Sequence, residues 1–282
     1  MLGILFAFFA ALFEATKDVL SKKRLAHFDI LTVSWALWFF SLPFLLPFVL
    51  YFGIPEIQPQ FWLALVVSGS LNIVATLLYM WAIKSADLST TVPMIAFTPV
   101  FLLITSPIIL GEFPSSLGYV GILFIVFGSY ILHIKEHQKG HLAPLKAIFR
   151  EHGPKIMLLV AFIWSITSNF DKIGVTGSSP LFWVFSHNMF VGMVLLPFVL
   201  RRNHGFPSVK PLIPLGLVVS VIMIFQMTAL TLTLVPYVIS IKRTSAVIVV
   251  VFSHFFLKEK GLKGRLLGAA IMVLGVFFIV FS

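Results

Sequence analysis

The sequence predicts an all-α polytopic membrane protein, with ten transmembrane helices arranged as two five-helix repeats of inverted topology. Three observations carry that prediction. The chain is 59% hydrophobic and only 11% charged over 282 residues, more apolar surface than a water-soluble domain of that size can hide. Uncharged stretches recur from end to end, each able to supply the roughly 20 residues that a membrane helix needs. A hexapeptide, Leu45-Leu46-Pro47-Phe48-Val49-Leu50, returns letter for letter as Leu195-Leu196-Pro197-Phe198-Val199-Leu200, 150 residues later.

In order, the expected spans are 2–21, 29–52, 60–83, 88–110, 116–134, 155–174, 180–200, 211–234, 236–257 and 263–281. The first starts without a basic leader and runs at full length, which argues against a cleaved signal peptide. Gly53-Ile54-Pro55 ends the second, and Gly111-Glu112-Phe113-Pro114 ends the fourth. Pro93, Pro99 and Pro107 should kink the fourth span and free backbone carbonyls. Gly177-Ser178-Ser179-Pro180 separates the sixth from the seventh. The one long polar connection, 135–154, divides the chain into a first repeat, 1–134, and a second, 155–282.

Sixteen of the twenty Lys and Arg residues follow odd-numbered spans: Lys22 to Arg24, Lys84, five from Lys135 to Lys155, then Arg201, Arg202, Lys210, and four from Lys258 to Arg265. Loops after even spans and both termini have none. The positive-inside rule then places the odd loops and the linker in the cytoplasm of a multi-pass cytoplasmic (inner) membrane protein. The net charge of +10 reads as loop charge that sets orientation rather than as a nucleic-acid footprint. With no cysteine, disulfides, thiolate metal sites and thiol nucleophiles are excluded. Neither a P-loop nor a catalytic His-Asp-Glu constellation is present, so no enzyme activity, cofactor or metal is expected.

The repeat extends beyond the hexapeptide. Lys22 maps onto Lys172 at the same offset, and further on an offset of 147 places Glu112 on Glu259, Gly121 on Gly268, Gly128 on Gly275 and Tyr79 on Gln226. Each half has an odd number of spans, so the copies must lie in opposite orientations, as in secondary transporters that bind substrate near the midplane between repeats. A structural scaffold without transport is the alternative.

Intramembrane charge marks the candidate site. Lys242-Arg243 interrupts the ninth span and Asp171-Lys172 lies at similar depth in the sixth. Cations held in a low-dielectric cavity suit an anion, with Arg offering a forked donor. Alternatively, Asp171 or another carboxylate neutralises one cation, and adjacent helical residues point about 100° apart, so both need not face one cavity. Glu14 and Asp18 share one face of the first span with Lys17 nearby. Burial disfavours a charged carboxylate, which makes either acid a candidate proton carrier; an internally compensated patch is the alternative. Asn72, His187, Asn188 and Gln226 are either interhelical glue or cavity lining. The glycines at seven-residue spacing pack spans five and ten together or form a dimer face. Trp35, Trp38, Trp81 and Trp183 are interfacial residues or cavity walls.

Several segments resemble the drug/metabolite transporter superfamily, in its ten-helix form with two EamA-type domains: Trp164-Ser165 through Asn169 and Lys172, Tyr79-Met80-Trp81-Ala82-Ile83-Lys84 with Asp87-Leu88-Ser89, and the turns at Gly111-Glu112 and Glu259-Lys260. Ser240-Ile241-Lys242-Arg243-Thr244 resembles the Lys-Arg motif by which sugar-phosphate translocators hold phosphate. The resemblance implies a transporter and adds Asn169 and Lys172 to a substrate-binding set of Lys242, Arg243, Gln226, Tyr79 and His187. Glu14, Asp18 and Asp171 form the coupling set.

The expected function is secondary transport of a small polar solute by alternating access, anionic or phosphorylated and held by Lys242 and Arg243. An alternative is proton-coupled export of amino acids or related zwitterions, and a third is lipid-precursor flipping. Expected partners are the small-molecule solute, the bilayer and a proton or counter-substrate, with no nucleic acid, in a monomer or homodimer.

Overall fold

Prolines and glycines, more than apolar content, decide where these helices stop. The computed structural model describes residues 1–85, 92–134, 152–201, 210–248 and 262–282, and among them every regular element is helical. The first helix, α1, spans Leu2–Leu25. The expected second span is two helices, α2 (Ile30–Phe39) and α3 (Leu42–Phe52). Asp29 caps α2, its carboxylate accepting the N–H groups of Leu31 at 3.0 Å and Thr32 at 3.2 Å. Pro43 stands in the first turn of α3; it has no N–H to continue the ladder of α2, so the helix breaks before it. At the offset of 150 the second repeat has Met193 in that place, and α8 (Pro180–Leu200) runs unbroken.

After α4 (Gln60–Ser85), a 3-10 turn over Val92–Phe97 leads into α5 (Thr98–Leu110). Of the three prolines expected to distort the fourth span, Pro93 and Pro99 bracket this change of helix type, while Pro107 stays inside the continuous α5. Gly111 closes α5 in the left-handed region, with φ 68°. The remaining helices are α6 (Ser116–Ile134), α7 (His152–Thr176), α9 (Ile213–Leu232, after a 3-10 turn at Lys210–Leu212), α10 (Val235–Lys242) and α11 (Leu262–Val280). Glu259 and the C-terminal part of the expected ninth span, from residue 249 on, lie outside the described residues.

Five helical stretches among the described residues are long and apolar enough to cross a membrane: Ile30–Phe52, Gln60–Ser85, His152–Thr176, Pro180–Leu200 and Lys210–Leu232. Met94–Leu110, Ser116–Ile131 and Leu267–Val280 are shorter apolar helices. The 24 residues of α1 are long enough, but Glu14, Lys17 and Asp18 lower its mean hydropathy.

The helices pair across the repeat boundary: α1 on α9, α4 on α7, α2 on α8, α5 on α10 and α6 on α11. Exchanging the repeats turns α1–α9 into α7–α4 and each other pair into itself. Gly121 and Gly275 show how close the last pair comes. A Cβ on Gly121 would lie 2.7 Å from the Gly275 carbonyl oxygen, and one on Gly275 would lie 2.6 Å from that of Gly121. Gly128 meets the Gly268 carbonyl oxygen at 2.7 Å in the same way. Because 121 meets 275 and 128 meets 268, the two helices run antiparallel. The repeated glycines therefore serve backbone-to-backbone packing of α6 on α11 within the protomer.

Candidate functional site

Four helices related in pairs by the repeat enclose a cavity of about 90 Å³. Helix α7 contributes Trp164, Thr167, Ser168 and Asp171, and α1, its counterpart, contributes Glu14 and Lys17. Asn72, Thr76, Tyr79 and Met80 come from α4, and Val219, Ile222, Met223 and Gln226 from α9. Each of these sets recurs at three- and four-residue steps, the spacing of one helix face. Residues 72 and 219, 76 and 223, and 79 and 226 are each 147 apart, so equivalent faces of the two copies look at each other across the cavity. Leu37 and Trp38, just before the α2–α3 break, and Ile239, Lys242 and Arg243 on α10 complete the lining.

Lys242 and Arg243 both reach the cavity although they are adjacent. The α10 hydrogen-bond ladder is interrupted here: the Arg243 N–H is shared between Ile239 and Ser240, and Thr244 bonds Ile241 before helical backbone resumes over 245–248. The i→i+3 bonds mark a short turn of 3-10 character between α10 and the helical backbone that follows.

Most of the charge is internally paired. Lys17 lies 2.6 Å from Glu14 and 3.2 Å from Asp18, and Lys242 lies 3.2 Å from the second Glu14 oxygen. The Lys242 ammonium also donates to Gln226 Oε1 at 2.7 Å, and the Tyr79 hydroxyl donates to Asp18 at 2.7 Å. Lys242 is thus compensated, but by Glu14 from the first helix and not by Asp171. Glu14 and Asp18 line one face as expected, and form with Lys17 the compensated patch.

Arg243 and Asp171 are different. Arg243 donates to the Thr98 hydroxyl at 3.0 Å and lies over the Trp164 ring at 5.8 Å, a cation–π arrangement, while its Nε has no acceptor. Asp171 accepts a hydrogen bond from the Ser68 hydroxyl. Among the described residues neither has an ion-pair partner, although both are buried. A second cavity-lining donor, Trp38 Nε1, is also buried without an acceptor.

Behind Asp171 a buried polar chain crosses the bundle. Asn72 donates to Ser68 at 3.1 Å and to His187 Nε2 at 3.3 Å, and His187 Nδ1 donates to Asn188 Oδ1 at 3.3 Å. Asn188 then donates to the Ser41 hydroxyl at 2.8 Å, and Ser41 to the Trp38 carbonyl. His187 is therefore a support for Asn72 and the α2–α3 break and does not line the cavity. Asn169 binds Ser106, Thr105 and the Ser165 carbonyl between α5 and α7, also away from the cavity. Lys172 points to one end of the bundle, where it pairs with Glu112.

The geometry thus brings together Lys242, Arg243, Gln226, Tyr79, Glu14 and Asp171, and sets Asn169, Lys172 and His187 outside the lining. Sequence reasoning left Trp38 undecided and did not single out Thr167, Ser168 or Thr76. The 164, 167, 168, 171 and 72, 76, 79, 80 spacings were the available signal.

The profile of the EamA-like transporter family matches residues 1–134 and again 153–281. A solved structure, described as a crystal structure of a protein, superposes with a TM-score of 0.79 at 15% identity, covering 99% of this chain and 96% of that one; at that identity the likeness is one of fold. No curated protein matches the chain.

Proposed function

The chain belongs to the EamA-like transporter family, a family of membrane transporters and not of enzymes, and on that premise we propose that it carries a small zwitterionic metabolite by alternating access. The observation that supports this is the presence of Arg243 and Asp171 in one cavity, each without an ion-pair partner among the described residues. An unpartnered charge in a low-dielectric interior is costly, and two of opposite sign are relieved together by one ligand that carries both complements. A carboxylate would accept from Arg243 Nε and Trp38 Nε1, the two orphaned donors of the lining. An ammonium would pair with the Asp171 carboxylate, which faces the cavity. Leu37, Val219, Ile222 and Met223 form an apolar wall for the rest of the solute.

The same donors favour a second reading, an anionic or phosphorylated solute held by Arg243 with Lys242. Against it stands the occupation of Lys242 by Glu14 and Gln226. Lipid-precursor flipping gains little from the charge balance: the lining has Lys17, Lys242 and Arg243 against Glu14 and Asp171, and Lys17 and Lys242 are already paired, with Asp18 and Glu14. We further propose that 1–134 and 155–282 are the two repeats whose exchange of states alternates access, with 135–154 joining them on the cytoplasmic face, and that Asp171 exchanges its proton for the solute's ammonium.

The test is thermal stabilisation of the purified protein by zwitterionic, anionic and cationic metabolites, in the parent, Arg243→Gln and Asp171→Asn proteins. A zwitterion should lose at least tenfold in affinity in each variant, since each removes one charged contact, about 1.5–3 kcal/mol. Anions that stabilise the Asp171→Asn protein undiminished, with no response to zwitterions in the parent, would install the second reading. In liposomes, solute-driven proton flux should disappear in Asp171→Asn; flux that persists there refutes the coupling assignment.

A further inference from the structure

We propose that Lys172 and Glu112 form a latch that closes one end of the transport pathway and opens in every cycle. The inference rests on the alternating-access reading and is independent of the solute's charge. Lys172 Nζ pairs with Glu112 Oε1 and donates to the Thr233 carbonyl at 2.8 Å. The other Glu112 oxygen accepts the Val235 N–H at 2.8 Å, one of the amides left free in the first turn of α10. Beside it, the Tyr237 hydroxyl accepts the Ser115 N–H at 3.1 Å. These bonds stitch the α5–α6 turn of the first repeat to α7 and α10 of the second.

Both helices that carry the latch also carry the cavity. On α7 the latch residue follows directly on Asp171. On α10 the latched amide opens the helix, while Lys242 and Arg243 stand at its end, about 10–12 Å away at 1.5 Å per residue. A solute that draws Asp171 and Arg243 towards itself therefore pulls on both second-repeat anchors of Glu112. The pair is also wet enough to break: the Lys172 side chain is 18% exposed and that of Glu112 11%, unlike a staple sealed in apolar packing.

The repeat supplies a second, independent argument. Lys22 is the counterpart of Lys172 in the first repeat, and it is exposed. It touches the Ile83 carbonyl at 3.4 Å, one turn inside the end of α4, whereas Thr233 lies just past the end of α9. The two copies thus hold the same lysine in different states. In a transporter built from inverted repeats, exchanging the states of the copies exchanges which end is open. The structure is latched at the Glu112 end, and in the opposite state Lys172 would give up Glu112 and the Thr233 carbonyl.

A chain without cysteine makes the experiment clean. Ser168→Cys places one thiol in the cavity, and its rate of labelling by a membrane-impermeant maleimide is read in sealed vesicles of each orientation. The expected result is faster labelling from the Lys22 end. Glu112→Gln or Lys172→Met should raise labelling from the Glu112 end at least fivefold and lower it from the other, while Lys172→Arg leaves the parent pattern. Glu112→Asp, which keeps the charge and shortens its reach, should shift the rates the same way by less, and serves if the stronger variants do not accumulate. Monodisperse Glu112→Asp and Lys172→Met proteins with parental rates at both ends would overturn the latch. Labelling from neither end in any protein would overturn the transport reading with it.

Discussion

Glu14 is the residue on which the charged half of the cavity turns. One of its oxygens takes Lys17 and the other Lys242, so a single carboxylate from the first repeat holds an ammonium of the second. Glu14→Gln would leave Lys17 with Asp18 alone and Lys242 without its ion-pair partner, at a cost of up to about 3 kcal/mol. The expected outcome is a lowered unfolding temperature in detergent, partly restored by Glu14→Gln combined with Lys242→Met; additivity of the two changes would show that the residues do not interact. Lys242, Arg243, Glu14 and Asp171 stood out in the sequence because charge in a membrane span is rare and conspicuous, and the four line one cavity. Their pairing did not. Whether Lys242 finds Glu14 or Asp171 depends on how α1 and α7 approach α10, and no local pattern encodes that. Trp164 was equally hidden: its indole supports the Arg243 guanidinium, yet in a chain with 31 Phe and 6 Trp an aromatic residue carries little signal by itself.

Among the elements, α6 and α11 make the sharpest demand on sequence. Their backbones approach so closely at Gly121 and Gly275 that a methyl group on either meets a carbonyl oxygen. Nothing there is a flexible side-chain end that can turn aside. Gly121→Ala and Gly275→Ala should each destabilise by about 1–3 kcal/mol through overpacking, and together by less than the sum, because one separation of the helices relieves both. Thermal unfolding of the single and double variants measures this; full additivity would contradict the contact. The seven-residue glycine register was legible in the sequence, and so was the kink at Pro93 and Pro99. The break between α2 and α3 was not foreseen, although Pro43 was in view. A proline near the middle of a long apolar run can be tolerated as a kink where neighbours satisfy the freed carbonyls. Here the Ser41 hydroxyl bonds the Trp38 carbonyl and the chain separates into two helices.

On the scale of the whole molecule, the strongest helix pairings all join one repeat to the other. Neither half alone can cover α1, α4 or α6, whose partners α9, α7 and α11 belong to the other. Polypeptides 1–141 and 142–282 produced together should therefore co-purify as a folded complex, whereas either produced alone should be degraded or aggregate. Stable, monodisperse recovery of one half would show that the repeats fold independently. The hexapeptide and the glutamate and glycine registers foretold two copies, but not which helices would meet, since the offset alone is silent on contact.

The broken helix has a consequence for direction. Two identical halves would make the two resting states of the molecule equal in energy, and an unloaded protein would wait facing either side with the same probability. Pro43 stands in one copy and Met193 in the other, so the bend beside Trp38 exists on one side of the cavity alone. The copies differ too in what they bring to the cavity, Tyr79 against Gln226 among them. On the alternating-access proposal such differences make the two end states unequal, and the empty protein would then favour one face.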